Sequence, residues 1–64
     1  MTAKDHIKLM NKGFTIIRVD LFRLTIKYKR DLQDWKILEK GFTTKAAVER
    51  RMKELLEDPL RVED

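Results

Sequence analysis

The residues best able to do chemistry in this 64-residue chain are its cations, and their spacing is regular. In Phe22-Arg23-Leu24-Thr25-Ile26-Lys27-Tyr28 apolar and polar residues alternate without a break, and Lys29 continues the series. A period of two belongs to a strand with one dry face and one wet face. Phe22, Leu24, Ile26 and Tyr28 share the dry face. Arg23, Thr25, Lys27 and Lys29 share the wet one. With Arg18 and Lys36 from neighbouring strands, these residues make a basic sheet face: Arg18, Arg23, Thr25, Lys27, Lys29 and Lys36. Long cationic chains on such a surface reach phosphates, and an arginine can fork onto a guanine edge. Arg18 and Arg23 are the candidates for that role.

Other chemistry is poorly supplied. The chain has no Cys and no Ser, so the two commonest side-chain nucleophiles are missing. One histidine, His6, cannot build a His-rich metal site, and a surface or packing role is expected for it. The two glycines, Gly13 and Gly41, are too far apart for a glycine-rich phosphate loop. Glu49, Glu54 and Glu57 sit at helical spacing from bases. The expectation is a non-catalytic protein that needs no cofactor and no metal.

The net charge is +4. Arg18, Arg23, Lys27, Lys29, Arg30, Lys36 and Lys40 outnumber Asp20, Asp31, Asp34 and Glu39 in residues 14–42, whereas residues 43–64 are slightly acidic. The positive charge therefore travels with the strand-forming part, which points to a polyanion partner or to a solvated face. No apolar run approaches a membrane span or a signal-peptide core, so a cytoplasmic protein with no membrane contact is expected.

The elements that must hold these residues can be read in order. Residues 1–64 form one small domain. Residues 2–12 can form a short helix, capped by Thr2 with Asp5 three residues on, with Ala3, Ile7 and Met10 on one face and Gly13 as terminator. At this length an isolated helix is marginal, so residues 1–12 either dock or fray. Its Lys4, Lys8 and Lys12 repeat every four residues. Strand one runs from about Phe14 to Val19, with Ile17 and Val19 inward and Ile16 outward, either a liability or a contact.

Apolar parity changes between Val19 and Phe22, so a hairpin or a bulge lies there. The hairpin is preferred, although Asp20-Leu21 is poor two-residue turn chemistry. Strand two follows to Lys29, and Arg30 to Asp34 is a loop with two Asp residues for local bonds. Strand three runs from about Trp35 to Lys40, with Trp35 and Ile37 inward and Lys36 and Leu38 outward. Phe42 folds back into the core. The helix over 44–58 starts at a Thr44 cap and ends before Pro59. It carries the stripe Val48, Met52, Leu55 and Leu56 and the pairs Glu49–Lys53, Arg50–Glu54 and Lys53–Glu57. Residues 59–64 read as a tail, from which Leu60 and Val62 can pack back. The expected fold is thus α+β: a three-stranded antiparallel sheet over 14–42 packed on one C-terminal helix, with a short N-terminal helix.

The run Trp35-Lys36-Ile37-Leu38-Glu39-Lys40-Gly41-Phe42-Thr43-Thr44-Lys45-Ala46-Ala47-Val48 resembles the amino-terminal arm-type DNA-binding domain of phage and transposon tyrosine recombinases, the integrases. Gly41, Phe42, Thr44 and Lys45 match that family's strand-to-helix motif, and the resemblance covers about residues 14–57. It implies a sheet inserted in the major groove of duplex DNA, in a module from a mobile element or phage. Ala47 and Val48 depart from the family's acidic residue and alanine. Asp31-Leu32-Gln33-Asp34 is acidic where the family's turn is basic and contains glycine.

Two readings follow. One is DNA binding by the sheet face. The other is a protein-interaction module or a homodimer through a sheet edge of strand one or three. The side on which Trp35 falls refines the first. An inward Trp35 favours a duplex, whereas an outward Trp35 favours single-stranded RNA on an RRM-like sheet, because that mode stacks bases on exposed aromatics.

Overall fold

The computed structural model describes residues 2–31 and 34–64. Helix α1 (Ala3–Asn11) leads into strand β1 (Thr15–Asp20), followed by β2 (Thr25–Lys29), β3 (Lys36–Glu39), helix α2 (Lys45–Leu55) and β4 (Arg61–Glu63). The sheet order is β3-β2-β1-β4. β1–β2 and β2–β3 are antiparallel, and β4 lies parallel to β1. The protein is therefore α+β with a mixed four-stranded sheet and two helices, where a three-stranded antiparallel sheet packed on one C-terminal helix, with a short N-terminal helix, was expected. The residues read as a tail supply the fourth strand. Parallel strands need a long crossover, and α2 is that crossover, carrying the chain from the β3 edge to the β4 edge. Strand β1 is consequently internal, and the sheet edges are β3 and β4.

Each helix starts where side-chain chemistry stops the backbone donors from being orphaned. The Thr2 hydroxyl accepts from the Asp5 amide and the Asp5 carboxylate accepts from the Thr2 amide, both at 3.2 Å. That reciprocal box starts α1 as the spacing predicts, and Gly13, at φ +91°, lets the chain turn into β1. Thr44 caps α2 by accepting from the Ala47 amide at 3.1 Å. α2 stops at Leu55, ahead of Pro59.

The main core lies between α2 and the sheet. Ile17, Ile26, Val48, Met52 and Leu55 are buried there, and Val19, Tyr28, Leu38, Phe42 and Leu56 pack against them. The apolar stripe of α2 is thus the one its spacing predicts. A different ion pair fixes the helix. Arg51 Nε reaches Glu39 Oε1 at 2.8 Å and its Nη2 reaches Oε2 at 2.9 Å, while Nη1 holds Glu54 at 2.9 Å. This two-pronged grip joins α2 to β3.

Three sequence expectations are corrected. The β1–β2 connection is a hairpin, but its loop is Leu21–Leu24, with Asp20 opposite Thr25. Asp20 Oδ1 accepts from the Phe22 and Arg23 amides at 3.0 and 3.2 Å, and Leu24 takes φ +52° to close the turn. Alternation cannot see such a turn, because its polar anchor lies at the strand end. Phe22 is therefore at the loop tip and 93% exposed, not in the core.

The second correction is the parity of β3. Ile37 pairs with Lys27 and is exposed, Glu39 pairs with Ile26, and the register shifts between them. Leu38 packs on the core and Trp35 lies on the opposite face. Trp35-Lys36-Ile37-Leu38 offers apolar residues in both phases, so periodicity could not choose. Arg51 requires Glu39 on the helix side, and the extra residue at the register shift meets that requirement.

The third correction concerns the outer face. Ile16 is as inaccessible as Ile17, both at 0% exposure, and α1 packs on β1 at that side. The buried residue of α1 is His6, and Ile7, expected inward, is exposed. The turn expected at Leu32 and Gln33 lies outside the described residues. Substituting Ile16 by Ala should cost about 2–4 kcal/mol in urea unfolding, close to the effect of Ile17→Ala. Ile37→Ala, on the same face but uncovered, should stay within about 0.5–1 kcal/mol. Equal small effects at Ile16 and Ile37 would mean that α1 is not seated.

Candidate nucleic-acid interface

The outer face of the sheet has two halves. One half lies under α1. The other is open and carries Arg18, Lys27 and Lys29, which alternation and register place together: Arg18 faces Lys27 across β1–β2, and Lys29 lies two residues along β2. Trp35 comes in from the start of β3 and rests on these cations. The Arg18 guanidinium carbon is 5.1 Å and the Lys29 ammonium 5.8 Å from its ring centroid. Trp35 is half-buried. Contacts of this kind contribute about 0.5–1 kcal/mol each at exposed sites. They also orient the ring over the sheet.

A polar clasp locates the tryptophan at the border between the halves. His6 of α1 meets Trp35 edge-on, with centroids 5.8 Å apart at 90°. The same imidazole bonds through Nε2 to Asp64 Oδ1 at 2.8 Å. Asp64 reaches this point because β4 pairs with β1 and the Asp64 amide donates to the Ile17 carbonyl at 2.8 Å. Its other carboxylate oxygen is 4.0 Å from Arg18 Nε. The bond from His6 holds the Asp64 carboxyl below its usual 3.8, against the opposing effect of partial burial. The grip of Arg51 likewise holds Glu39 below its usual 4.5.

Of the residues expected on the basic face, Arg18, Lys27 and Lys29 are brought together. Lys27 is drawn toward Asp20, 3.2 Å away. That contact and the Arg23 amide bond, the larger influence, lower the Asp20 carboxyl from its usual range. Arg23 stands apart at the hairpin tip, a consequence of the four-residue loop. Thr25 is buried, and its hydroxyl is a buried oxygen without a partner, so it presents nothing to a ligand. Lys36 is exposed but pairs with Tyr28, which places it toward the α2 side. Trp35, His6 and Asp64 were the residues that alternation missed. The one available sign was Trp35 standing at the junction of a loop and a strand with two usable phases.

The surroundings of the open half are basic. Lys4 and Lys8 flank the buried His6 at two residues on either side, so they project from the outer side of α1, and Lys12 is also exposed. Lys4, Lys8, Lys12, Arg18, Lys27 and Lys29 on this side stand against Asp5, Asp20 and Asp64. Around α2, Lys36, Lys45, Arg50, Arg51, Lys53 and Arg61 are matched by Glu39, Glu49, Glu54, Glu57, Asp58 and Glu63. Among the described residues no group of three or more His, Cys, Asp or Glu side chains could hold a metal ion. No helix among them is long and apolar enough to cross a membrane. Comparison with family models, curated proteins and solved structures finds no match for this chain.

Because the folded Asp64 carboxyl binds its proton at lower pH than the unfolded one, the stability it contributes is present above its ordinary value. That contribution is lost as pH falls through the folded value. Asp64→Asn should therefore lower the melting temperature at neutral pH and flatten the loss of stability between about pH 5 and 2. Parallel melting curves for the two chains across that window would show that the clasp contributes nothing.

Proposed function

We propose that the chain is a small non-catalytic nucleic-acid-binding module that lays a strand of nucleic acid across the open half of its sheet. The observation that carries this reading is Trp35 lying on the basic face against Arg18 and Lys29. A stacking platform flanked by cations is the combination that single-strand binders use: the ring takes a base and the cations take the phosphates on either side. Each base stacked in this way contributes about 1–3 kcal/mol. The exposed lysines of α1 extend the positive field beyond the platform.

Duplex DNA, the partner that the integrase-like run implies, fits this face less well. A sheet entering a major groove must present its outer surface freely, and α1 stands on one half of that surface. The Gly41-Phe42-x-Thr44-Lys45 likeness supports a nucleic-acid role in general. Among the described residues, a homodimer through a sheet edge has β3 and β4 to work with, since β1 is internal.

Trp35 is the sole tryptophan, so its fluorescence reads the proposed contact directly. Titration with a mixed-sequence single-stranded oligonucleotide should quench it, with affinity falling steeply as salt rises. Trp35→Leu should weaken binding, followed by anisotropy of a labelled strand, by about fivefold to a hundredfold. Arg18→Ala should weaken binding and lower the salt slope by about one. Binding to a duplex that is tighter than to the single strand, with unchanged tryptophan emission, would contradict the platform. No binding to either at low salt would contradict the nucleic-acid role altogether.

A further inference from the structure

Past Asp20, which also holds Lys27 of the basic strip, the chain turns through an apolar hairpin tip. Phe22 is 93% exposed and the adjoining Leu21 is 41% exposed. A phenylalanine held out by a well-anchored turn is unusual. Asp20 fixes the turn through the Phe22 and Arg23 amides, so the ring is presented rather than merely left loose. Directly beside it, between α2 and the β1–β4 half of the sheet, is an open cleft of about 360 Å³. Its floor is apolar: Val19, Leu21, Met52 and Leu56. Its rim carries Glu49 and Glu63 against Lys53, a net negative charge. Next to Phe22 the tip carries Arg23, a positive one.

From these features we infer that this surface joins two copies of the chain. Knob and cleft share Leu21, which lines the cleft and precedes Phe22. A two-fold axis close to Leu21 therefore sets each Phe22 over the other copy's cleft, and one operation satisfies both. Such an isologous contact closes at two subunits and propagates no further. The charges agree with the same arrangement, since Arg23 of each copy arrives at the acidic rim of the other. Each aromatic ring brings about 150–250 Å² of surface into the contact. That is below what stable interfaces bury, so the dimer is a weak one, formed in the micromolar range or above. The basic strip lies outside this surface, so pairing places two strips on one particle. The inference does not rest on the nucleic-acid reading.

Sedimentation of the free protein from about 10 μM to about 1 mM, without nucleic acid, tests it. The wild-type chain should rise toward the dimer mass as concentration increases. Phe22→Ser, at an exposed loop position that leaves the core intact, should weaken association by about tenfold or more. Arg23→Glu should also weaken it, and Arg23→Glu combined with Glu63→Lys should restore it. A monomer over the whole range overturns the inference, and so does dimerisation that Phe22→Ser leaves unchanged. If the monomeric chain instead floats with vesicles of phosphatidylcholine and phosphatidylserine and Phe22→Ser abolishes this, the tip serves a lipid surface and the dimer is again excluded.

Discussion

Ile16 and Ile17 are neighbours in β1, and neither touches water. Adjacent residues of a strand point to opposite faces. Burying both therefore demands a cover on each side of the sheet at the same place. α2 supplies one through Val48, Met52 and Leu55. α1 supplies the other. The rest of the architecture follows from this double demand. The sheet has a layer on both faces, yet the second layer is a single short helix that covers only part of its side.

A helix as short as α1 does not hold its own in water, and what fixes it is the chemistry at its buried position. His6 is a polar residue where an apolar one would be ordinary, and a buried imidazole needs a hydrogen-bond partner. Asp64 provides it, and β4 brings Asp64 there by pairing with β1. Both ends of the described chain thus meet over the middle strand. The same imidazole sets the edge of Trp35. The way the second cover is secured thus also helps to hold the tryptophan that the phase of β3 places on the basic side. The proposed binding strip is what the small second layer leaves open.

Much of this was legible in the residues, and the exceptions share a cause. Both helix starts could be read from Thr2, Asp5 and Thr44, because capping is local. The stripe of α2 and the inward set Ile17, Val19, Ile26 and Tyr28 could be read from period alone, because burial on one face imposes it. Ile16 could be marked as anomalous but not explained, since its cover is a tertiary contact. Phe22 and Arg23 misled because an Asp-anchored turn of Leu21–Leu24 keeps the apolar alternation while leaving the strand. Trp35 misled because Leu38 and Phe42 compete with it for the core, and a register shift in β3 separates its phase from that of Glu39, which Arg51 holds on the helix side. Arg61–Glu63 looked like a tail because a three-residue parallel edge strand carries almost no local pattern. Of the six residues read as a basic face, the three that survive as a cluster, Arg18, Lys27 and Lys29, are those that the β1–β2 register sets side by side on the outer face.

Residue-resolved amide hydrogen exchange tests most directly whether the sheet is covered on both faces. If α1 is seated over Ile16, the amides of Ile7 to Asn11 are protected to nearly the same degree as those of Ile16 and Ile17, since undocking α1 would expose the core of β1. If the α1 amides exchange like those of the Leu21–Leu24 loop while β1 stays protected, the second cover does not exist. Trp35 then loses the His6 edge contact, and the doubly covered sheet is contradicted.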